Sequence, residues 1–360
     1  MRRLPFRGLV SGPRVGRDRV FFTNLWFRGH NNPRYAELLP RLARVDGYLI
    51  VLPDRRGLRG ASWRTLHATR RPRYAIVVGA AARRYRAMFT TDNEQIAYFS
   101  GLIVSDIDDP IYSEREVELL NRPQLAAYVV TAESAARRFE SLGVDKPWHV
   151  VPQGVSLASL QPGEIERARA RRKSGDLIVG YMGSWLLSAG DRNGDDPIYN
   201  IDHLLALWEE IRARVPEARL WLIGGASARV RARCAGREDI VIFGRLPRAE
   251  ALAHVASFDI ALYPRRASHV PQAAKTIEYL GAGVPVVSYD LPVVADLREA
   301  RAGILVDDPR AFVDAVVSLA RDPARRRALA TAAREEGENR DWDVLAAEYR
   351  RILDQYLPPT

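Results

Sequence analysis

The sequence predicts an α/β protein of two doubly wound, Rossmann-like domains facing a central cleft. Short apolar runs alternate with amphipathic segments along most of the chain, in two successive rounds. A length of 360 residues with 47% hydrophobic content exceeds what one domain of about 150 residues needs. Residues 275–287, Lys-Thr-Ile-Glu-Tyr-Leu-Gly-Ala-Gly-Val-Pro-Val-Val, read as a short helix that stops at a glycine and feeds a buried parallel strand.

The elements follow in order. In the first half, strands are predicted at 20–27, 48–52, 74–78, 102–105, 127–131 and 149–152, with helices at 35–45 and 134–142. In the second half, strands are predicted at 177–183, 219–224, 240–243, 260–263, 286–288 and 304–306. Helices are expected at 202–215, 248–256 and 312–319 between them. The domain boundary is placed in 161–176, where a proline, a glycine and a dense charge run meet. This gives domains at 1–160 and 161–340. Residues 341–360 are expected to form a helix packing back on the first domain, with Trp342, Leu345, Tyr349, Ile352 and Tyr356 at helical spacing.

Composition narrows the function classes. One cysteine, Cys234, excludes a disulfide framework and a cysteine zinc cluster and fits a reducing cytoplasm. It is expected to be inert or a surface thiol. No apolar run reaches the roughly 18–20 residues of a membrane span. The first 19 residues are basic without the apolar core of a leader and are expected to form a flexible arm. A net charge of +10 implies anionic company: nucleoside diphosphates, anionic lipid or nucleic acid. The arginine clusters are scattered and lack any nucleic-acid motif, so no nucleic-acid partner is expected. Peripheral contact with anionic membrane remains open, and with it a place at the inner face of the membrane. No Gly-Lys-Ser/Thr phosphate loop and no serine elbow occur, which speaks against an ATPase and a hydrolase triad.

The chemistry concentrates in residues 275–287. Gly283 suits the left-handed cap after a helix, and Pro285 blocks its continuation. Lys275 and Glu278 are three apart and share a helix face. In an open α/β sheet, a lysine and a helix N-terminus can face phosphates, while a carboxylate accepts from ribose hydroxyls. The bland alternative is an exposed ion pair between the two. Only three lysines occur among 54 basic residues, and one of them is Lys275. Asp106, Asp108 and Asp109 follow a predicted strand and either cap a helix near Pro110, line an acceptor cleft or hold a metal. His30 follows the first strand and either meets the acceptor or belongs to a helix start.

Several stretches in register resemble the GT-B glycosyltransferases, specifically the large retaining family four (glycosyl transferases group 1), over residues of about 127–356. They are Val129-Val130-Thr131-Ala132-Glu133-Ser134, Val150-Val151-Pro152-Gln153-Gly154-Val155 and Val179-Gly180-Tyr181-Met182-Gly183-Ser184. Leu220-Trp221-Leu222-Ile223-Gly224, Phe243-Gly244-Arg245-Leu246, Phe258-Asp259-Ile260-Ala261-Leu262-Tyr263-Pro264 and residues 275–287 complete the set. The resemblance implies GT-B architecture and a divergent member of that family. It implies transfer of a hexose from a nucleoside diphosphate sugar to an acceptor hydroxyl, with retention and without a metal or cofactor. Glu278 would bind the donor's ribose, and Lys275 would approach its diphosphate. Gly183 and Ser184 would allow close backbone approach, with Arg192 and Arg245 as further donor-binding candidates. Catalytic candidates in the first domain are His30, Asp108 and Asp109. The acceptor is expected to be a glycan, a lipid-linked molecule or a small molecule, as in cell-envelope or natural-product glycosylation.

Two departures qualify this. The family places a glutamate eight positions before the second one; here that position is Val270, beside His269. His269 or Gln272 is expected to take over sugar recognition. Residues 185–199 form an unusually long loop containing Arg192, which either shapes the donor site or is a disordered insertion. A non-catalytic GT-B-like binding or regulatory subunit, and a same-fold nucleotide-sugar epimerase, stand as alternatives.

Overall fold

Apolar segments that must bury both faces become parallel strands, and two separate sheets result. The computed structural model describes residues 2–3, 16, 18–26, 33–51, 70–196, 199–267 and 271–357. It divides into one unit of Met1–Pro152 with Trp342–Thr360 and a second of Gln153–Asp341. The first unit thus ends at Pro152, ahead of the charged stretch that suggested a boundary.

In the first unit the strands are β1 (Arg2–Arg3), β2 (Val20–Trp26), β3 (Val45–Val51), β4 (Ala87–Thr90), β5 (Leu102–Ile107), β6 (Leu125–Val130) and β7 (Trp148–Val150). They form an all-parallel sheet in the order β1-β3-β2-β4-β5-β6-β7. The direction of winding reverses between β2 and β4. The helix Trp342–Tyr356 belongs to this unit and buries Trp342, Leu345, Tyr349, Ile352 and Leu353 in one core with Phe22, Phe89 and Val104.

The expected strand at 74–78 is corrected: it lies inside the helix Arg70–Ala81. Tyr74, Val77, Val78 and Ala81 are buried while Ala75 and Ile76 are exposed, which is helical spacing. The strand of this region is β4, four residues long. The expected helix at 35–45 is shorter, Pro33–Leu38 with a 3₁₀ turn Leu39–Arg41, and Val45 already opens β3. Beyond β5 the helix begins at Glu114, capped by Ser113, which accepts from Glu116 N, instead of near Pro110.

Arg34 ties this unit together. Its guanidinium donates to both carboxylate oxygens of Asp106 at 3.0 and 3.1 Å, to the Pro152 and Val151 carbonyls at 2.9 Å each, and to the Tyr349 hydroxyl. The end of β5, the residues after β7 and the C-terminal helix thus meet on one buried cation. Burial raises the Asp106 carboxyl above its ordinary range against the pull of that guanidinium.

In the second unit the strands are β8 (Leu177–Leu186), β9 (Ala218–Ala226), β10 (Ile240–Gly244), β11 (Ile260–Tyr263), β12 (Val286–Tyr289) and β13 (Gly303–Val306). The order is β10-β9-β8-β11-β12-β13, all parallel, so winding reverses between β8 and β11. A parallel sheet wound outward in both directions leaves a crevice at the carboxyl ends of the strands beside that reversal. β8 runs through Gly183 to Leu186, three residues past the expected end, with its register shifting between Met182 and Trp185. Gly224 accommodates that shift: its φ is 146°, and a Cβ there would lie 2.2 Å from the Gly183 carbonyl oxygen.

The helix Ala274–Gly281 ends as the sequence implies. Gly283 has φ 67°, its N–H reaches the Leu280 carbonyl at 2.8 Å, and Val284 N reaches the Tyr279 carbonyl at 3.0 Å. This helix packs against Pro323–Asn339 at Gly337, where a Cβ would lie 2.5 Å from Gly281 Cα; a Cβ at Gly281 would instead meet the Val155 side chain at 2.6 Å.

Candidate functional site

The reversal of winding between β8 and β11 brings cations together. Tyr181 lies on β8, Tyr263 closes β11, and Arg265 and Arg266 follow directly. Lys275, on the first turn of the helix Ala274–Gly281, donates from Nζ to the Tyr181 hydroxyl at 3.0 Å and stands over the Tyr181 ring at 4.6 Å. Arg265 acts on the same hydroxyl, and its guanidinium lies 5.3 Å from the Tyr263 ring centre. Burial opposes ionisation of the Tyr181 phenol, yet the two cations outweigh it and hold the phenol below its ordinary range. Burial also lowers the Lys275 ammonium, with Tyr181 opposing and Arg265 reinforcing the shift.

A cavity of about 210 Å³ opens here, lined by Tyr181, Asn200, His203, Arg265 and Arg266 among others. His203 belongs to the first turn of the 13-residue helix Asp202–Arg214, so the positive end of a helix and two arginines meet at one wall. The Asp202 carboxylate is turned to Ser188 Oγ at 2.7 Å and Ala189 N at 2.8 Å. His203 Nε2 lies 2.7 Å from the Tyr289 hydroxyl, and burial holds this imidazole below its ordinary range. Fixed cations and a helix N-terminus in a partly dehydrated pocket can hold an anion and stabilise negative charge that develops on it.

The ion pair between Lys275 and Glu278 that the bland alternative supposed is not formed. Lys275 turns to Tyr181, while Glu278 accepts from Arg248 Nη1 at 2.5 Å. The Glu278 side chain keeps 14% of its surface exposed. The two residues thus share a helix face and divide their partners.

The other candidates separate. Gly183 and Ser184 sit within β8 at its register shift, Ser184 exposed. Arg245 is exposed, with its guanidinium 4.8 Å above the Trp185 ring. Arg192 is exposed in a turn and does not line the cavity. Over its described residues that segment is a hydrogen-bonded turn: Leu187 N reaches Tyr199 O at 2.8 Å and Gly194 N reaches Asp191 O at 2.8 Å. Gln272, a proposed stand-in for the first glutamate, is buried and donates to Asp296 at 2.8 and 2.9 Å. His30, His269 and Val270 lie outside the described residues. Cys234 is buried, and burial raises its thiol, so it is no surface thiol.

Sequence reasoning missed Tyr181, Arg265, Arg266 and Arg248. Two of them follow directly after the quoted Tyr263-Pro264, at the carboxyl end of a strand. That position was the available signal.

Asp108 and Asp109 stand in the first unit, at the mouth of a second cavity of about 300 Å³. It opens at the carboxyl ends of β2, β4 and β5, beside that sheet's own reversal of winding, with Asn24, Thr91, Asp92, Glu94 and Glu116 on its wall.

Residues 186–322 match the protein family described as Glycosyl transferases group 1. The chain is 27% identical over 234 residues to a phosphatidyl-myo-inositol mannosyltransferase of Mycobacterium leprae, covering 62% of this chain and 58% of that protein. It is 28% identical over 240 residues to a GDP-mannose-dependent alpha-(1-6)-phosphatidylinositol monomannoside mannosyltransferase of Mycolicibacterium smegmatis, covering 62% and 60%. The matches thus span about three fifths of these relatives' length. Among solved structures, sucrose-phosphate synthase from Thermosynechococcus elongatus superposes with a TM-score of 0.70 at 17% identity, over 94% of this chain and 99% of that one. Anabaena Alr3699/HepE in complex with UDP superposes at 0.71 and 15% identity, over 94% and 100%. Both likenesses concern the fold. The solved structures show that the chain has the GT-B fold, and within its second unit residues 186–322 are similar to the glycosyl transferases group 1 family.

Proposed function

We propose that the chain is a glycosyltransferase that moves a hexose from a nucleoside diphosphate sugar to an acceptor hydroxyl, with retention and without a metal. The observation that carries this reading is the convergence of Lys275 and Arg265 on Tyr181 where the second sheet reverses its winding. Cleaving a sugar–diphosphate bond leaves charge on the departing diphosphate. Fixed cations that need no rearrangement lower the barrier to that step. In this reading Lys275, Arg265 and Arg266 face the diphosphate and Glu278 the ribose, with Arg248 orienting its carboxylate. The relatives' names, mannosyltransferases, and the UDP held by Anabaena HepE support a nucleotide-sugar donor.

The test incubates the protein with nucleoside diphosphate sugars and an acceptor panel in EDTA and follows product by proton NMR. The reading expects nucleoside diphosphate release coupled to a product with the donor's anomeric configuration. An inverted product, or transfer abolished by EDTA and restored by a divalent cation, would reject retention or metal independence respectively. Val270 at the position of the family's first glutamate favours one second reading, a non-catalytic binding subunit. That subunit would transfer nothing, and failure to bind any nucleoside diphosphate would favour it.

A further inference from the structure

The cavity of the first unit has a chemistry of its own. Six carboxylates line it, from Asp92, Glu94, Asp106, Asp108, Asp109 and Glu116, against one arginine, Arg115. Arg34 pairs with Asp106, Arg71 and Arg115 pair with Glu94 at 3.0 and 3.7 Å, and Asp92 and Glu116 accept from Tyr74 Oη and from the Ile111 and Tyr112 N–H groups; six carboxylates against these three arginines leave the region net negative. This stands out in a chain of net charge +10. Glu94 is only 7% exposed, and its Oε2 is buried without a hydrogen-bond donor among the described residues. A buried carboxylate oxygen left without a donor is costly unless a ligand supplies one. Nor do the carboxylates gather tightly: among the described residues no three of them are arranged to hold a metal ion. Acceptors spread over a cavity of about 300 Å³ suit a ligand with several separated donors. Asn24, Thr91, Asn93 and Ser113 add neutral polar groups to the same wall.

We propose that this cavity binds the sugar acceptor and selects a polyol bearing an ammonium group, of the amino sugar or aminocyclitol class, over a phosphorylated one. The assignment as acceptor rests on the transferase reading; the charge class does not. The carboxylates take hydroxyl and ammonium donors together, whereas a phosphate entering the cavity meets a net negative lining in which Arg115 is the one cation.

Titration calorimetry on the full chain, without donor, tests this with three probes: methyl glucosaminide, methyl glucoside and glucose 6-phosphate. The amine should bind at least about tenfold tighter than the phosphate, with the neutral sugar between. In Glu94→Gln and in Asp109→Asn, each checked for an unchanged melting temperature, the preference for the amine should narrow several-fold. Phosphate binding equal to or tighter than amine binding overturns the proposal, and so does an unchanged order in both variants. Nucleoside diphosphate binding, measured in parallel, separates the two readings. If the nucleotide binds and no sugar does, the cavity assignment fails and the donor site stands. If the amine binds and the nucleotide does not, the ligand class of the cavity stands and the transferase reading fails.

Discussion

Replacing Arg34 by Met removes a cation 1% exposed and leaves Asp106, fully buried, with a charge and fewer donors. It also strips donors from the Val151 and Pro152 carbonyls. Breaking one partner of a buried pair costs about 3–5 kcal/mol. For a unit of this size each kcal/mol lowers Tm by about 2–4 °C, so a drop of about 6–20 °C is expected. The pH dependence gives the sharper test. Burial already raises Asp106 with Arg34 present, and without the guanidinium its folded-state pKa rises further above the unfolded value. A carboxyl raised in the folded state contributes stability that is lost as pH rises through that raised value. The deficit of Arg34→Met should therefore shrink as pH falls from about 8 to about 5, as Asp106 takes up a proton. The double variant Arg34→Met/Asp106→Leu should recover part of the loss. Denaturant unfolding at several pH values measures both. A single-variant deficit under about 1 kcal/mol, or one independent of pH, refutes the account of a buried, uncompensated carboxylate.

Three further outcomes follow from particular contacts. Lys275→Met should weaken nucleoside diphosphate binding by about tenfold or more. In the wild type that affinity should fall away at a pH below the ordinary lysine value, because burial lowers the ammonium, and Lys275→Arg should move the fall upward; calorimetric titration across pH reads both. Gly337→Ala would place a Cβ 2.5 Å from Gly281 Cα, so the helix bearing Lys275 must shift, at a cost of about 1–3 kcal/mol seen in thermal melts. Asp239 accepts from Arg237 Nε at 2.8 Å and from Trp208 Nε1 at 2.8 Å, and Arg237 holds its carboxyl well below the usual range. Asp239→Asn should cost about 2 kcal/mol above the ordinary carboxylate pKa, and the difference from wild type should vanish as pH falls through the depressed value.

Much of the fold was legible because both sheets are parallel and buried on two faces. Short apolar runs such as 260–263 and 286–288 stand out from their amphipathic neighbours, and Gly283 with Pro285 marks a helix end by backbone sterics alone. The segment 74–78 misled because a β-branched run reads alike in a buried helix and a strand; the helical spacing of Tyr74, Val77, Val78 and Ala81 resolves it only over a longer window. The helix Pro323–Asn339 buries only Ala333 and Gly337, so no apolar period announced it. Lys275 and Glu278 were legible as chemistry on one helix face. Their partners were not: Tyr181 and Arg248 lie 94 and 30 residues away, and only the strand order brings them in. The bond between Arg34 and Asp106 spans 72 residues and is equally silent locally.

The most direct test of the central claim is thermal stabilisation by a panel of nucleoside diphosphates in EDTA, on wild type, Lys275→Met and Glu278→Ala. A ligand that binds the folded state must raise Tm. The account predicts a shift with one nucleotide that survives EDTA and is lost or much reduced in both variants. No shift with any nucleotide, or a shift unchanged in both variants, would contradict a donor site at the reversal of the second sheet.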